Sequence, residues 1–172
     1  MGFDHETILI AYGSNLSFGP ESASQAFASV VKTLRDRGVI VNNISRLWAS
    51  KAWPDESDPP YVNAILAVES DLEPLDLLAL LHEVERDGGR IRDGHKNAPR
   101  TIDLDLIAYG RRIVNSEALT LPHARAHDRG FVMGPLAEIM PDWRHPTLNK
   151  SATNLQQSIT VGADAHPIGD VN

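Results

Sequence analysis

Two aspartates, Asp103 and Asp105, stand two positions apart within the apolar segment PRTIDLDLIAYG at residues 99–110. The alternation around Leu104 and Leu106 predicts a β-strand, although aspartate is disfavoured in strands. Side chains two apart in a strand point to the same face, so we expect the two carboxylates about 7 Å apart. Such a pair repels, and a hard cation such as Mg²⁺ relieves that repulsion. Mg²⁺ held by carboxylates, substrate phosphates and water would suit phosphoryl-type transfer.

The loop before this strand decides between that chemistry and a simpler interpretation, the solvent-exposed face of an antiparallel sheet. It reads GGRIRDGHKNAPR at residues 88–100 and is rich in cations, although the whole chain has a net charge of −7. Arginine binds phosphate oxygens through a planar fork, often bidentately. A glycine-rich cationic loop beside paired carboxylates indicates a site for a metal–polyphosphate complex. The cations of the loop are Arg90, Arg92, Lys96 and Arg100.

A third segment with chemically useful residues, LPHARAHDRGFVMGPL, follows at residues 121–136. His123 and His127 have the spacing of a zinc pair only on a helix, and a histidine that follows proline is more typical of a loop. Arg129 and Phe131 are more informative. The glycine between them lets backbone approach a ligand, and the phenylalanine offers a ring for stacking.

Length and composition bound the fold and exclude several function classes. The chain has 172 residues, the length of one ordinary domain, and 42% of them are hydrophobic, enough for a core. It contains no cysteine, which excludes a disulfide framework and a thiolate metal site. The acidic net charge argues against nucleic acid as the main partner. The N-terminal apolar run lacks the basic leader of a secretory signal, and no stretch approaches a membrane span, so we expect a cytoplasmic protein.

Hydrophobic periodicity and turn residues predict the elements that position these groups. Apolar runs predict strands over residues 6–12, 39–50, 61–70 and 102–109, with GSN at 13–15 as a turn. Helical spacing predicts helices over residues 20–38, 73–89 and 131–140. This order matches an α+β, ferredoxin-like βαββαβ core, an antiparallel sheet with helices packed on it. We expect residues 1–150 to form a single domain and residues 151–172 to form a polar C-terminal tail, loosely packed or partly disordered.

Three motifs occur in an order and spacing that resemble a known family. They are IAYGSNL near the N-terminus, GRIR with PRTIDLDLIAYG in the middle, and LPH with RGFVMGPLAEI after it. Over roughly residues 6–142 the chain is similar to 6-hydroxymethyl-7,8-dihydropterin pyrophosphokinase. The resemblance implies transfer of pyrophosphate from ATP, the co-substrate, to a pterin alcohol in folate biosynthesis, with two Mg²⁺ ions. It also implies small-molecule substrates, no nucleic acid or membrane partner, and a monomer.

The resemblance further implies a role for individual residues. Asp103 and Asp105 resemble the metal ligands, and together with Arg90 and Arg100 they form the implied catalytic set. The residues implied to contact ATP are Glu85, Arg92, Leu106, Thr120, His123 and Arg129. The residues implied to form the pterin pocket are Ser50, Trp53, Tyr61, Asn63 and Phe131, with two rings sandwiching the heterocycle and Asn63 reading its hydrogen-bonding edge.

The chain departs from the family pattern at two positions that are often aromatic in the family, where it has Asn97 and Ala124. Two other functions fit part of the pattern. A metal-dependent nucleotidyltransferase also carries paired aspartates on a strand, but it usually requires a Gly-Ser loop, faintly echoed by GSN, and a third carboxylate. A non-catalytic pterin- or nucleotide-binding module would have lost the arginine and aspartate set that is present here.

Overall fold

The structure, a computed structural model, describes residues 6–15, 20–52, 55–90 and 102–168, with the backbone alone at residues 20, 21, 89 and 90. Its strands are β1 (Ile8–Asn15), β2 (Ile40–Ile44), β3 (Trp48–Ser50), β4 (Tyr61–Glu69), β5 (Asp103–Tyr109), β6 (Val114–Asn115), β7 (Thr120–Leu121) and β8 (His166–Pro167). Its helices are α1 (Pro20–Asp36), α2 (Pro74–Arg90), α3 (Gly130–Ile139) and α4 (Ala152–Gln157), with a short 3₁₀ helix at Ala126–Asp128. Among the described residues, no helix is long and apolar enough to span a membrane.

An antiparallel sheet, in which β1 pairs with β5 on one side and β4 on the other, organises the described part of the chain. The strand order is β5-β1-β4-β3-β8. β3 pairs with the N-terminal part of β4, and β2 pairs with the C-terminal part of β4. This order is the one expected of a βαββαβ core in which the two halves of the chain interleave. The predicted α+β class and antiparallel sheet are confirmed. β6 and β7 form a separate two-stranded sheet.

The central strands are buried on both faces because helices cover the sheet on either side. Side chains alternate along β1, so Ile8 and Ile10 enter one hydrophobic cluster while Leu9 enters the other. Helices α1 and α2 cover the first face, which explains their apolar stripes. Helices α3 and α4 cover the second face, which we call the α3 face.

The segment predicted as one strand over residues 39–50 is instead broken into β2 and β3. The break lies at Ser45, whose backbone N–H donates to the Ile65 carbonyl at 2.9 Å and whose hydroxyl accepts from the Ile65 N–H at 2.9 Å. The next residue, Arg46, turns outward and its Nε donates to Glu138 Oε1 of α3 at 2.6 Å. The long-range ion pair and the serine hydroxyl replace ladder bonds that an unbroken strand would have made.

Two further expectations are corrected. GSN at residues 13–15 is not a turn, because these residues continue β1 and pair with Tyr61 to Asn63 of β4. The loose packing expected after residue 150 is wrong for residues 151–168. Ser151 caps α4 by accepting from the Asn154 N–H at 3.1 Å, and α4 buries Ala152 and Leu155 in the core of the α3 face. The extent of the domain, 1–150, stays a prediction, although this packing crosses its boundary; residues 169–172 lie outside the described residues.

Candidate active site

A cleft of about 950 Å³ opens on the α3 face, at the end of the sheet that α3 leaves uncovered. Its floor consists of strand residues from β5, β1 and β4, which lie side by side in the sheet. Its walls come from the segment that leads into α3, from the end of β3, and from residues 160–164 near the C-terminus.

Small residues on the central strand keep the floor open. In the register of the sheet, Asp103 of β5 pairs with Gly13 of β1, and Gly13 pairs in turn with Asn63 of β4. A Cβ atom on Gly13 would lie 3.2 Å from Asn63 Oδ1, a tight contact, and 3.9 Å from Asp103 Cβ, an ordinary one, so glycine leaves the Asn63 amide its position. One row further along, Asp105 pairs with Ala11. The two carboxylates and the Asn63 amide therefore face the same space from opposite sides of β1, which has only small side chains between them.

The paired aspartates occupy the positions that the alternation of β5 predicts. Leu104 and Leu106 are 1% and 3% exposed in the opposite core, whereas Asp103 and Asp105 both point into the cleft. Partial burial raises the pKa of Asp103, and the nearby Asp105 charge raises it further. Among the described residues no third acidic or histidine side chain joins them to complete a metal cluster. Two hard carboxylates fit Mg²⁺, which keeps water and substrate oxygens in its shell.

Glu85 of α2 holds β5 from the other side of the sheet. Its Oε1 accepts a hydrogen bond from the Leu104 backbone N–H at 2.7 Å, between the two aspartates. Burial raises the pKa of Glu85, and the Leu104 N–H acts in the opposite direction. The bond fixes the start of β5 to α2, and so fixes where the carboxylates stand.

His123 and Arg129 line one wall of the cleft, the first as a neutral hydrogen-bond donor and the second as a cation. The His123 backbone N–H donates to the Ile107 carbonyl at 2.8 Å, and its Nδ1 accepts from the Arg125 N–H at 3.2 Å. A ring whose Nδ1 accepts carries its proton on Nε2, which is then a donor. Burial lowers the pKa of His123, although the Asp105 carboxylate acts in the opposite direction. The Arg129 guanidinium carbon lies 5.7 Å from the centre of the Phe131 ring.

The opposite part of the cleft is suited to a flat, polar ring. Ser50 of β3 pairs with Tyr61 of β4, whose side chain is 43% exposed although it is large and apolar. Phe131 stands at the start of α3, half-buried against the core of that face. Two rings and the Asn63 amide around one opening provide stacking surfaces and an edge of hydrogen-bonding groups.

The structure brings together most of the described residues that the sequence analysis singled out. Those that line the cleft are Ser50, Tyr61, Asn63, Asp103, Asp105, His123, Arg129 and Phe131. Three do not line it: Glu85 bonds to β5, Leu106 is buried in the opposite core, and Thr120 lies on the small sheet. Trp53, Arg92, Asn97 and Arg100 lie outside the described residues, as does the side chain of Arg90.

Sequence reasoning missed the contribution of the C-terminal segment. Thr160, Val161, Gly162 and Asp164 line the cleft, and Thr160 bonds to Asp128 just before Arg129. The turn-like sequence VGAD was the available signal, since a glycine followed by Asp at this spacing is typical of a turn. A local signal of this kind does not indicate which distant element the turn packs against.

Comparison with known proteins gives a consistent result. A family model described as 7,8-dihydro-6-hydroxymethylpterin-pyrophosphokinase (HPPK) matches residues 9–141. A 2-amino-4-hydroxy-6-hydroxymethyldihydropteridine pyrophosphokinase of Haemophilus influenzae is 38% identical over 136 residues, which are 79% of this chain and 82% of that protein. A protein of the same name from Synechocystis is 39% identical over 126 residues, which are 73% of this chain and 64% of that protein.

Longer proteins contain a similar region. The folic acid synthesis protein fol1 of Pneumocystis carinii is 34% identical over 165 residues, which are 96% of this chain but 22% of that protein. A crystal structure of an HPPK-DHPS protein in complex with substrates superposes with a TM-score of 0.66 at 12% identity, covering 89% of this chain and 43% of that one. At this identity the superposition supports the fold alone.

Proposed function

We propose that this protein transfers the pyrophosphate group of ATP to 6-hydroxymethyl-7,8-dihydropterin in folate biosynthesis, because the chain belongs to the 7,8-dihydro-6-hydroxymethylpterin-pyrophosphokinase family. One observation of the structure carries the proposal. The cleft combines two sets of groups: the paired carboxylates with His123 and Arg129, and the Tyr61 and Phe131 rings with the Asn63 amide. A site with these two sets of groups suits a reaction between a metal–triphosphate complex and a flat heterocycle.

ATP and Mg²⁺ belong to the carboxylate half of the cleft. Asp103 and Asp105 would hold two Mg²⁺ ions, which when bound neutralise charge on the triphosphate. The Nε2–H of His123 and the guanidinium of Arg129 donate to phosphate oxygens. We propose Arg90, Arg92 and Arg100 as further cations over the transferred group, on the strength of the family resemblance. We also keep Glu85, Leu106 and Thr120 as proposed ATP contacts, although their side chains do not line the cleft.

The pterin belongs to the other half. Tyr61 and Phe131 stack on its two faces, while Asn63 pairs with its hydrogen-bonding edge and excludes rings that lack that edge. Ser50, which pairs with Tyr61, supplies a buried hydroxyl, and Trp53 is proposed to cover the ring. In this orientation the hydroxymethyl group of the pterin points across Gly13 towards the phosphates.

The reaction is an in-line displacement. The hydroxymethyl oxygen attacks the β-phosphorus of ATP and loses its proton, while the bond from that phosphorus to the bridging oxygen of the α-phosphate breaks and AMP leaves. The residues of the cleft position the two substrates and neutralise charge in the transition state, which is the main task of a protein in phosphoryl-type transfer. We assign no general base.

A direct assay tests the proposal. Purified protein is incubated with ATP, Mg²⁺ and 6-hydroxymethyl-7,8-dihydropterin, and the products are separated. We expect AMP and the pterin diphosphate. Formation of ADP, or consumption of ATP without the pterin, would contradict the proposal and favour a different nucleotide-dependent enzyme. The nucleotidyltransferase alternative relied on a Gly-Ser loop, whereas GSN lies in β1.

A further inference from the structure

The C-terminal segment of residues 160–168, which we call the strap, is tied to the residues that flank Arg129. Two bonds join Thr160 to the Asp128 side chain, from its N–H to Oδ1 at 2.8 Å and from its hydroxyl to Oδ2 at 2.6 Å. The Val161 N–H donates to the Asp128 carbonyl at 3.1 Å, and the Val161 carbonyl accepts from the Gly130 N–H at 2.7 Å. These bonds fix the backbone on both sides of Arg129, at the point where α3 begins.

The other end of the strap is tied to the opposite wall of the cleft. Asp164 Oδ2 accepts from the Lys51 backbone N–H at 2.7 Å, one residue after Ser50. Beyond it, β8 pairs with β3, and the Ile168 N–H donates to the Leu47 carbonyl at 2.8 Å. The strap therefore joins the wall that carries Arg129 and Phe131 to the wall that carries Ser50.

Gly162, in the middle of the strap, is where the strap meets the Phe131 ring. Its φ of +71° is a left-handed conformation that favours glycine, and a Cβ atom would lie 2.7 Å from Phe131 Cδ1 and 3.2 Å from Cε1. On the neighbouring residue of α3, a Cβ on Gly130 would collide with the Gly162 carbonyl oxygen. Because Gly130 and Gly162 both lack a side chain, the strap packs directly against the start of α3. The Phe131 ring can then keep the position that it has in the structure.

We propose that the strap is a positioning element for the pterin and that Gly162 sets the position of the Phe131 ring. Gly162 also lines the cleft, so the backbone that supports the ring faces the same space as the ring itself. The strap lies C-terminal to the residues that the family model matches. The inference rests on the proposed function, because it assigns Phe131 to the pterin.

The test compares Gly162→Ala with Gly38→Ala. Both glycines have positive φ, +71° and +89°, but a Cβ on Gly38 meets nothing within 4 Å, so this control carries the backbone strain without the displaced ring. Dihydropterin affinity is measured by equilibrium titration with Mg²⁺ and a non-hydrolysable ATP analogue present. We expect Gly162→Ala to raise the dissociation constant for the dihydropterin about tenfold, which corresponds to the loss of one aromatic stacking interaction. The affinity for the ATP analogue should not change. Gly38→Ala should match the wild type in both.

A double-mutant cycle separates positioning from general loss of structure. Phe131→Leu weakens dihydropterin binding by itself, and adding Gly162→Ala to it should cause no further loss if Gly162 acts through the ring. Additive losses would overturn the proposal, as would a Gly162→Ala protein that binds dihydropterin like the wild type or a Gly38→Ala protein equally impaired.

A second variant covers the case in which Gly162→Ala does not fold. Thr160→Val removes the hydroxyl bond to Asp128, and Thr160→Ser restores it; we expect weaker dihydropterin binding in the first and recovery in the second. Normal binding by Thr160→Val would overturn the role of the strap. A wild-type protein that binds the dihydropterin but releases no AMP contradicts only the proposed reaction, whereas one that does not bind it contradicts both proposals.

Discussion

The paired carboxylates of β5 repel each other in the folded protein: burial raises the pKa of Asp103, and the Asp105 charge raises it further. At about 7 Å in water the repulsion amounts to roughly 0.6 kcal/mol, a small fraction of the stability of a domain. Nothing in the packing of the strand requires either charge, because Leu104 and Leu106 hold β5 in the core from the other face. A bound cation, as proposed above, would relieve the repulsion between the two carboxylates.

Replacing Asp105 by asparagine tests this proposal at a single residue. Asp105→Asn removes one metal ligand and the repulsion together, so we expect AMP formation to fall by more than about 100-fold. The free energy of unfolding should stay within about 1 kcal/mol of the wild type, measured by urea unfolding. Asp142→Asn, an exposed carboxylate that does not line the cleft, is the matched control. Turnover within tenfold of the wild type would rule out a metal role for Asp105.

At the scale of elements, the site depends on how α2, β5 and β1 are fixed relative to one another. β1 contributes small residues to the bottom of the cleft, which leaves space above them. α2 holds β5 through the hydrogen bond that the Leu104 N–H donates to Glu85. The ATP contact of Glu85 stays a prediction, and its described contact is this structural bond. The bonded residue, Leu104, lies between Asp103 and Asp105, the two proposed metal ligands.

We expect Glu85→Ala to lower the free energy of unfolding by about 1–3 kcal/mol, because it leaves the buried Leu104 N–H without its acceptor. Glu85→Gln keeps a carbonyl oxygen for that bond and should cost less than about 1 kcal/mol. Glu83→Ala, which breaks an exposed ion pair with Arg37, is the control on the same helix and should cost little. If Glu85 serves ATP instead, Glu85→Gln would weaken binding of an ATP analogue while Glu85→Ala left stability unchanged.

At the scale of the whole molecule, the second core cluster decides where the cleft lies. Helices α3 and α4 cover the α3 face over Leu9, Ile65 and Ile107, and the cleft begins where that cover ends. His145 lies in the turn between these helices and is 5% exposed. Its Nδ1 accepts from the Leu148 N–H at 3.1 Å, so the ring is neutral in the folded protein.

The stability of the molecule should therefore depend on pH. Burial, with a smaller effect from neighbouring His127, lowers the pKa of His145 to about 4 from its ordinary value of 6.5. Between these values the unfolded chain binds a proton that the folded chain does not, so stability is lost as pH falls through this window. The loss between pH 7 and pH 5 should be about 2 kcal/mol for this group.

Urea unfolding at both pH values checks this prediction. His145→Asn keeps an acceptor in the turn but does not titrate, so it should lose about 2 kcal/mol less than the wild type between pH 7 and pH 5. His82→Asn, on the exposed face of α2, should follow the wild type. The same pH dependence in the wild type and in His145→Asn would show that the histidine does not contribute.

Patterns that depend on near neighbours in the chain were sufficient for much of this protein. Alternation placed Leu104 in the core and Asp105 in the cleft, because side chains in a strand alternate wherever the strand lies. The spacing of apolar residues and a C-terminal glycine located α1, with Gly38 at φ +89° just beyond its end. The chemistry of the paired aspartates was likewise readable from residue types two apart.

The tertiary structure alone decided which distant segments meet. The local sequence around Gly13 predicts a turn, but Gly13 lies in β1 between Asp103 and Asn63. Pairing of β1 with β4 and β5 on its two sides outweighs the local preference for a turn. Gly162 reads as part of a loose tail, yet the strap is held by bonds to residues more than 30 positions away. Such contacts are set by the packing of a whole sheet between two helical layers, and no short stretch of sequence encodes them.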